Sequence, residues 1–398
     1  MHALPDAKCY DVVIVGMGPA GATAAYQLSQ AGMSVLGLEK QAHPRYKVCG
    51  GGLSVRIDQL LDSDFRDVIE HTVYGIQFTY HGEEPFFIES SRPIAYMVMR
   101  DRFDHVLVEK ARRAGTEVHE DEQAVEFRQL PEGVEVVTER ARYRTKVLIG
   151  ADGANSIVAQ RLFQNRRLHR MATLESEVGI GQAPVYPGEG KVLIDLGATD
   201  RGYAWIFPKK ERLSIGVAEF RGRPASPKGI FNRFIHDERG LSRMDVPPPC
   251  GHPLPLPSLS RIAAPLRLVR HRALLVGDAG HLVDPLFGEG IYYAVRSGQI
   301  AAASVLDIFH DHRRSLMDYD LAIAREIYSE FRIASRVARI VYTFPRLCHR
   351  LMHRYQEVIN LYYDVLKGKD TYQTFFSKAK GVVKASFREL LRETLPLR

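Results

Sequence analysis

The sequence is poor in the residues that staple or ligate. Its 398 residues hold four cysteines, Cys9, Cys49, Cys250 and Cys348, with no CxxC and no histidine-rich spacing. That excludes a disulfide framework and a cysteine–histidine metal cluster, and no metal is expected. No apolar run approaches the roughly 18 residues of a membrane span. The opening MHALPDAKCYD lacks the apolar core of an export signal, so a reducing cytoplasm is the expected compartment. Tryptophan occurs once, at Trp205. What remains, 45% hydrophobic and 25% charged, is a globular composition, and at roughly 100 to 200 residues per domain the length suggests two or three domains.

The net charge of +7 is uneven: residues 301–398 carry 17 Lys and Arg against 11 Asp and Glu, an excess of six. A basic block of this size meets nucleic acid, an anionic membrane or only solvent. No nucleic-acid role is expected, and peripheral attachment to the inner face of a membrane is carried forward as the alternative to a solvated surface.

The most informative stretch is Asp11–Ala25, DVVIVGMGPAGATAA. Val12 to Val15 form the branched apolar run of a parallel strand covered on both faces. Gly16, Gly18 and Gly21 then give GxGxxG: a tight turn, close backbone approach to a pyrophosphate, and close packing of helix on strand. The anion would rest on the free N–H groups of the helix N-terminus. A helix over Ala22–Ala31 leads to a strand over Ser34–Leu38 and to Glu39, 23 residues past Gly16 and near the spacing of about 20 at which an acid accepts the adenosine ribose hydroxyls. The unit reads as an ADP site for FAD or NAD.

Next comes Arg45-Tyr46-Lys47-Val48-Cys49-Gly50-Gly51-Gly52, a loop whose glycine triplet suits backbone brought against something flat or anionic. Residues 75–99 alternate as antiparallel strands. Arg100–Ala114 has helical spacing, and strand pattern resumes over Glu117–Val137. A second buried strand ends in Asp152-Gly153. Val178–Phe220 reads as a three-stranded meander, and the proline-rich Val246–Pro257 as an extended connection that is neither helix nor central strand. The strand at Ala273–Val276 runs into Gly277-Asp278, followed by Gly288-Glu289-Gly290 and a helix over Ile291–Phe309.

The expected organisation is α/β. A discontinuous Rossmann-like FAD-binding domain (1–74, 100–165 and 261–310) is interrupted by an antiparallel β-sheet substrate domain (75–99 and 166–260) and followed by a C-terminal helical region (311–398). In that region Ile333, Val337, Ile340, Val341 and Phe344 form a stripe beside Arg332, Arg336 and Arg339, until Pro345 ends it.

In this order the motifs resemble the FAD-dependent oxidoreductases of the aromatic-hydroxylase fold. The resemblance implies that Gly16, Gly18, Gly21 and Glu39 hold ADP, and that Arg100, within an RxxFD-like segment with Phe103 and Asp104, flanks the pyrophosphate together with Asp152. It also implies that Asp278 of Gly277-Asp278 takes the ribityl chain and that Gly288 and Gly290 lie against the isoalloxazine. Within that group, KVCGGGLS, the YxWxFPK strand of Tyr203, Trp205, Phe207, Pro208 and Lys209, and GDAGHLVDPLFGEGI are similar to the geranylgeranyl reductase family, which saturates isolated double bonds of prenyl chains. There the glycine loop, here with Gly50, Gly51 and Cys49, approaches the flavin, and the aromatic strand lines the lipid tunnel.

An isolated alkene has no carbonyl to take up charge, so its reduction needs a hydride, a proton at the neighbouring carbon and a dry pocket. Cys49 and Tyr203 are the candidate proton donors, and Tyr203, Trp205 and Phe207 the candidate substrate contacts. The expected substrate is a small prenyl diphosphate, a prenylated lipid or a quinone. NADPH or reduced ferredoxin is the expected electron donor, and no second GxGxxG marks a nicotinamide site. Two rival readings stand: a flavin monooxygenase or halogenase of the same fold, whose WxWxIP strand differs here at Tyr203 and Phe207, and a non-catalytic FAD- and lipid-binding module. Nothing in the sequence sets the oligomeric state.

Overall fold

The computed structural model describes residues 7–163, 169–180, 191–219, 226–237, 241–257, 267–311 and 315–394. Val12 to Val15 end β1 (Lys8–Val15) out of contact with solvent. α1 (Pro19–Gln30) follows with Gly18 as N-cap and Pro19 at the first helical position, where a missing N–H leaves no bond unmade. It starts three residues before the apolar pattern suggests. β2 (Val35–Leu38) then returns parallel to β1.

The chain next forms β3 (Gly52–Ser54), β4 (Ile69–Val73), β5 (Gly75–Tyr80), β6 (Glu83–Glu89) and β7 (Ala95–Val98). β5 and β6 join the large antiparallel layer, but β3, β7 and β4 make a three-stranded sheet of their own. Residues 75–99 therefore do not all belong to the substrate layer as expected. The glycine loop captures β7: Val98 N donates to Gly51 O at 2.9 Å, and a Cβ on Gly51 (φ +75°) would lie 2.1 Å from Val98 O.

α2 (Arg100–Arg113), β8 (Glu117–His119), β9 (Ala124–Leu130), β10 (Gly133–Thr138), β11 (Arg142–Gly150) and α3 (Ile157–Leu162) complete the middle of the first layer. The second layer is built by β12 (His169–Gly179), β13 (Val192–Asp195), β14 (Gly202–Pro208), β15 (Arg212–Glu219) and, after α4 (Pro227–Asp237), β16 (Cys250–Leu256). Its order is β16-β12-β15-β14-β13-β5-β6, antiparallel except where β13 lies parallel to β5. Phe220, the expected end of the meander, lies outside the described residues. The proline-rich passage is more than a connection: β16 pairs along β12. It does so at the sheet edge, the place where prolines that cannot donate to a ladder are tolerated.

β17 (Val269–Arg270) and β18 (Ala273–Leu275) return to the first layer, which runs β17-β18-β11-β1-β2-β8 with β10 and β9 flanking β11. α5 (Ile291–His310) packs on α1 so closely that a Cβ on Gly298 would lie 2.4 Å from Ala20 O. The rest is helical: α6 (Met317–Ile323), α7 (Ser329–Thr343), α8 (Pro345–Arg354), α9 (Glu357–Leu366) and α10 (Tyr372–Thr394). The apolar stripe divides there. Ile333 and Val337 pack against the second core, whereas Ile340 and Phe344 face solvent.

Candidate active site

Parallel pairing sets Val15 beside Leu38 and Gly150, and Gly150 beside Leu275. The turns that follow these strands therefore open side by side at one edge of the sheet. A Cβ on Gly16 (φ +96°) would lie 2.4 Å from Ala151 O, and one on Gly21 2.0 Å from Gly16 O. These two glycines close the joint between strand, neighbouring turn and helix. Gly18 differs: its Cβ would meet only Arg45 Nη2, at 3.7 Å. The second glycine thus leaves an open cradle at the α1 N-terminus, the shape and polarity a pyrophosphate requires.

Around the cradle, Glu39 is buried and accepts from Met17 N at 3.0 Å and Arg45 Nη2 at 3.4 Å. Arg45 also reaches Asp104 at 3.3 Å, and Arg100 holds the same carboxylate at 2.8 and 2.9 Å. Asp278 faces Lys47 and Arg100; burial pushes its carboxyl up against the pull of those cations. Gly277 N donates to Ser297 Oγ at 2.9 Å, fixing the turn to α5. The Asp152 turn lines the cavity, and its carboxylate accepts from Ser156 Oγ and from Ile157 N at 2.7 Å and Val158 N at 3.2 Å. These bonds tie the turn to the first residues of α3. Open cradle, adjacent carboxylates and cations together fit FAD, whose reduced ring supplies a hydride when bound.

The cradle opens into a cavity of about 540 Å³ that extends beneath the second sheet, within the ordinary range of ligand sites. Period-two alternation builds its floor. Tyr203, Trp205 and Phe207 of β14 stand opposite Ala218, Gly216 and Ser214 of β15. The aromatic row packs over the small row and turns to the cavity as the floor of an apolar trough. A Cβ on Gly216 would lie 2.2 Å from the Trp205 ring, so only glycine admits the indole. The next strand, β12, places Thr173 and Glu175 on the same face, and β16 adds His252 and Leu254. Lys47 donates to His252 Nε2 at 2.6 Å. Burial and the nearby Lys47 and Arg100 hold the imidazole down to about 3, and burial brings Lys47 down to about 8.

The glycine loop meets this floor. A Cβ on Gly50 would lie 2.9 Å from the Phe207 ring and 3.2 Å from Trp205 Nε1, which puts Cys49 where the cradle and trough join. The Arg100 guanidinium is raised in spite of burial by Asp104 and by a hydrogen-bonding contact with Cys49. Tyr203 is differently placed from a free acid. Its hydroxyl donates to Phe287 O at 2.5 Å, and burial pushes the phenol well up. Gly288 (φ +69°) sits above it, with a Cβ position 3.6 Å from Tyr203 Oη, and Gly290 approaches Asp278. The loop carrying both is held by Asp284, which accepts from Leu286 N at 2.8 Å and Phe287 N at 3.0 Å, and by the Arg56–Glu289 ion pair.

The FAD binding domain family matches residues 9–191, the span that carries the glycine cradle, Glu39, Arg100 and Asp152. A digeranylgeranylglycerophospholipid reductase of Thermoplasma acidophilum is 29% identical over 326 residues, 74% of this chain and 77% of its own. A geranylgeranyl diphosphate reductase of Rhodobacter capsulatus is 27% identical over 391 residues, 93% and 92% of the two chains. The chain carries an FAD-binding domain and is similar to the geranylgeranyl reductases. A menaquinone reductase of Mycobacterium tuberculosis is 29% identical over 370 residues, 84% and 85% of the two chains. Among solved structures, a geranylgeranyl bacteriochlorophyll reductase-like protein of Thermoplasma acidophilum superposes with a TM-score of 0.77 at 22% identity over 96% of each chain. A flavin-dependent brominase does so at 0.73, with 20% identity over 97% of this chain and 100% of its own. At those identities the superpositions speak for the fold of this chain alone.

Sequence reasoning missed the cavity roof. Tyr362 and Leu366 of α9 line it, with Tyr362 and Phe287 ring centroids 5.6 Å apart. Tyr363 of the same helix donates to Ile88 O at 2.8 Å and accepts from Ile76 N at 3.0 Å, stapling the C-terminal helices to β5 and β6. No linear motif marks such contacts. The density of tyrosine in the tail was the available signal, since a buried phenol needs a hydrogen-bond partner. Glu175 was missed too, hidden within an alternating strand.

The two kinds of glycine separate cofactor loss from misfolding. Gly18→Val is expected to leave the flavin-free protein as stable as the parent while removing FAD from the purified protein. Gly21→Val should destabilise the fold by about 1–3 kcal/mol through overpacking. Flavin absorbance per chain and urea denaturation read the two effects.

Proposed function

We propose that this protein saturates isolated carbon–carbon double bonds of a prenyl chain carried by a diphosphate, phospholipid or quinone. The observation that carries the reading is the cavity that joins an FAD cradle to an apolar trough. An unbranched run of polar contacts would suit a sugar or a nucleotide, but this trough is floored by Trp205 and Phe207 and walled by Ile76, Val192, Ile194 and Leu254. Such a surface holds a flexible hydrocarbon by area burial, at about 25 cal/mol per Å², and excludes the water that would compete for hydride.

Cys49 is the proton-delivering group of this account. It lies at the junction of cradle and trough, and Arg100 holds it there. The Tyr203 hydroxyl, engaged with the Phe287 carbonyl, orients the loop that carries Gly288 and shapes the substrate wall. NADPH or reduced ferredoxin is the proposed source of electrons.

Among the described residues no helix is long and apolar enough to cross a membrane. A lipid substrate can instead be met at the surface. Six arginines, Arg332, Arg336, Arg339, Arg346, Arg350 and Arg354, are exposed on α7, α8 and their junction, and no Asp or Glu occurs from 331 to 356. Ile340, Phe344 and Leu347 are exposed at the corner between the two helices. Apolar tips flanked by cations are the composition of an interfacial anchor, with about 1 kcal/mol from each cation near an anionic surface.

Two measurements test the proposal. Anaerobic, dithionite-reduced holoenzyme given geranylgeranyl diphosphate should add pairs of hydrogens, read by mass spectrometry, and Cys49→Ser should retain FAD while slowing that reaction by about 10²–10⁴-fold. No product without air, followed by oxygen transfer when air is admitted, would favour the monooxygenase reading. For the surface, the protein should sediment with anionic vesicles at low salt and not with neutral ones. The double substitution Phe344→Asp, Leu347→Asp should weaken that binding by about tenfold or more; binding unchanged by it would place the contact elsewhere.

A further inference from the structure

β12 carries two acids, Glu175 and Glu177, two residues apart and so on one face of the strand. The Glu175 side chain is almost wholly removed from solvent, at 1% exposed, yet it lines the cavity. Its Oε1 accepts from Ser214 Oγ at 3.1 Å, and Ser214 in turn accepts from Trp205 Nε1 at 3.3 Å. Glu177 Oε1 is paired with Lys209, itself buried. The remaining oxygen of each carboxyl, Glu175 Oε2 and Glu177 Oε2, is buried without a donor. Two orphaned carboxylate oxygens are costly, and the two groups lie within hydrogen-bond reach of each other. One proton between them satisfies both.

We infer that the Glu175–Glu177 pair stores a proton on the cavity wall and that Glu175 returns it to Cys49 after each reduction. Lys209 and Ser214 already compensate the outer oxygens, so the shared proton rests on Glu175, the member that faces the cavity. Burial first, and then the Glu177 charge, raise that carboxyl toward neutrality against the pull of Lys209, the usual outcome when like charges share a site. The other groups facing the pair are few. Tyr46 stands half-exposed three residues before Cys49 on the glycine loop, and Gly50, next to Cys49, has its Cβ position 3.2 Å from Trp205 Nε1, which reaches Glu175 through Ser214. Cys250 of β16 stands opposite Glu175 in the ladder, and β15 presents only Ser214 and Gly216 at these rows.

This inference rests on the prenyl-reduction reading. With hydride from reduced FAD, itself reduced by an external donor, the Cys49 S–H bond breaks as the new C–H bond forms on the substrate. The Glu175 O–H bond then breaks as the S–H bond is restored, and the carboxyl pair takes a proton from solvent at the Tyr46 edge. Each saturated bond therefore consumes one hydride and one solvent proton, and the protein ends as it began. Glu175 acts through Cys49 and is a positioning and proton-supplying residue.

The test has a part that needs no turnover. Infrared difference spectra of the oxidised holoenzyme should show the carbonyl stretch of a protonated carboxyl at neutral pH, lost on titration to alkaline pH. The band should be missing in Glu175→Gln and in Glu177→Gln, both assayed after their FAD content matches the parent. A band that persists in Glu175→Gln overturns the shared proton. In turnover, Glu175→Gln pre-reduced and kept reduced by excess dithionite should form its first saturated bond at the parent rate and later ones at least about tenfold more slowly, with Glu175→Asp restoring part of the loss. Equal rates for every bond would overturn the delivery step. A parent enzyme that saturates no bond would instead sink the prenyl reading and the delivery step with it, while the infrared band continues to decide whether the pair holds a proton.

Discussion

The structure depends on one constraint, the parallel register that brings Val15, Leu38, Gly150 and Leu275 to the same level. Because the strands end together, the four turns that follow them, spread along more than two hundred residues of sequence, open into one crevice, the place where open α/β sheets bind ligands. The register is sealed by backbone contact rather than by side chains. Gly16 against Ala151 and Gly21 against Gly16 leave no room for a Cβ, whereas Gly18 between them stays open. Within one short motif, two glycines seal the joint and one leaves the helix N-terminus open.

The second layer solves a different problem, setting an apolar surface beside the charged cradle. It does so by rows. Tyr203, Trp205 and Phe207 alternate with inward-packed residues, the small residues of β15 leave them space, and the acids and His252 of the far strands supply the polar edge. Lys47, Arg100 and Arg45 stand where the two regions meet. Their charges are set against Asp278, Asp104 and Glu39 around the cradle, so the crevice is polar where a diphosphate would rest and apolar where a chain would lie.

The first layer was legible because its chemistry is local. A branched apolar run, three glycines and an acid at fixed spacing lie within 30 residues, and each answers to a backbone requirement. The Asp152 turn was placed at the cavity as expected, and the bonds from its carboxylate to Ser156, four residues later, and to the start of α3 show only in three dimensions. The proline-rich strand was half read: proline excludes a central strand, and β16 takes the edge. The roof was not legible, because Tyr362 and Leu366 reach the cavity through helix packing that no spacing encodes. Glu175 escaped for a related reason. An acid in an alternating strand reads as solvent-facing, and only the register with Gly216 and Ser214 turns it inward.

The central claim is that a prenyl chain lies along the aromatic row, and Trp205, the only tryptophan, reports on that row directly. Tryptophan emission of the oxidised holoenzyme should be followed during titration with geranylgeranyl diphosphate and, separately, with inorganic diphosphate. The account predicts a saturable change in emission with the prenyl compound and none with the inorganic ion. Emission indifferent to the prenyl compound, in protein carrying its full complement of FAD, would contradict the claim that the chain lies along the row of Trp205 and Phe207.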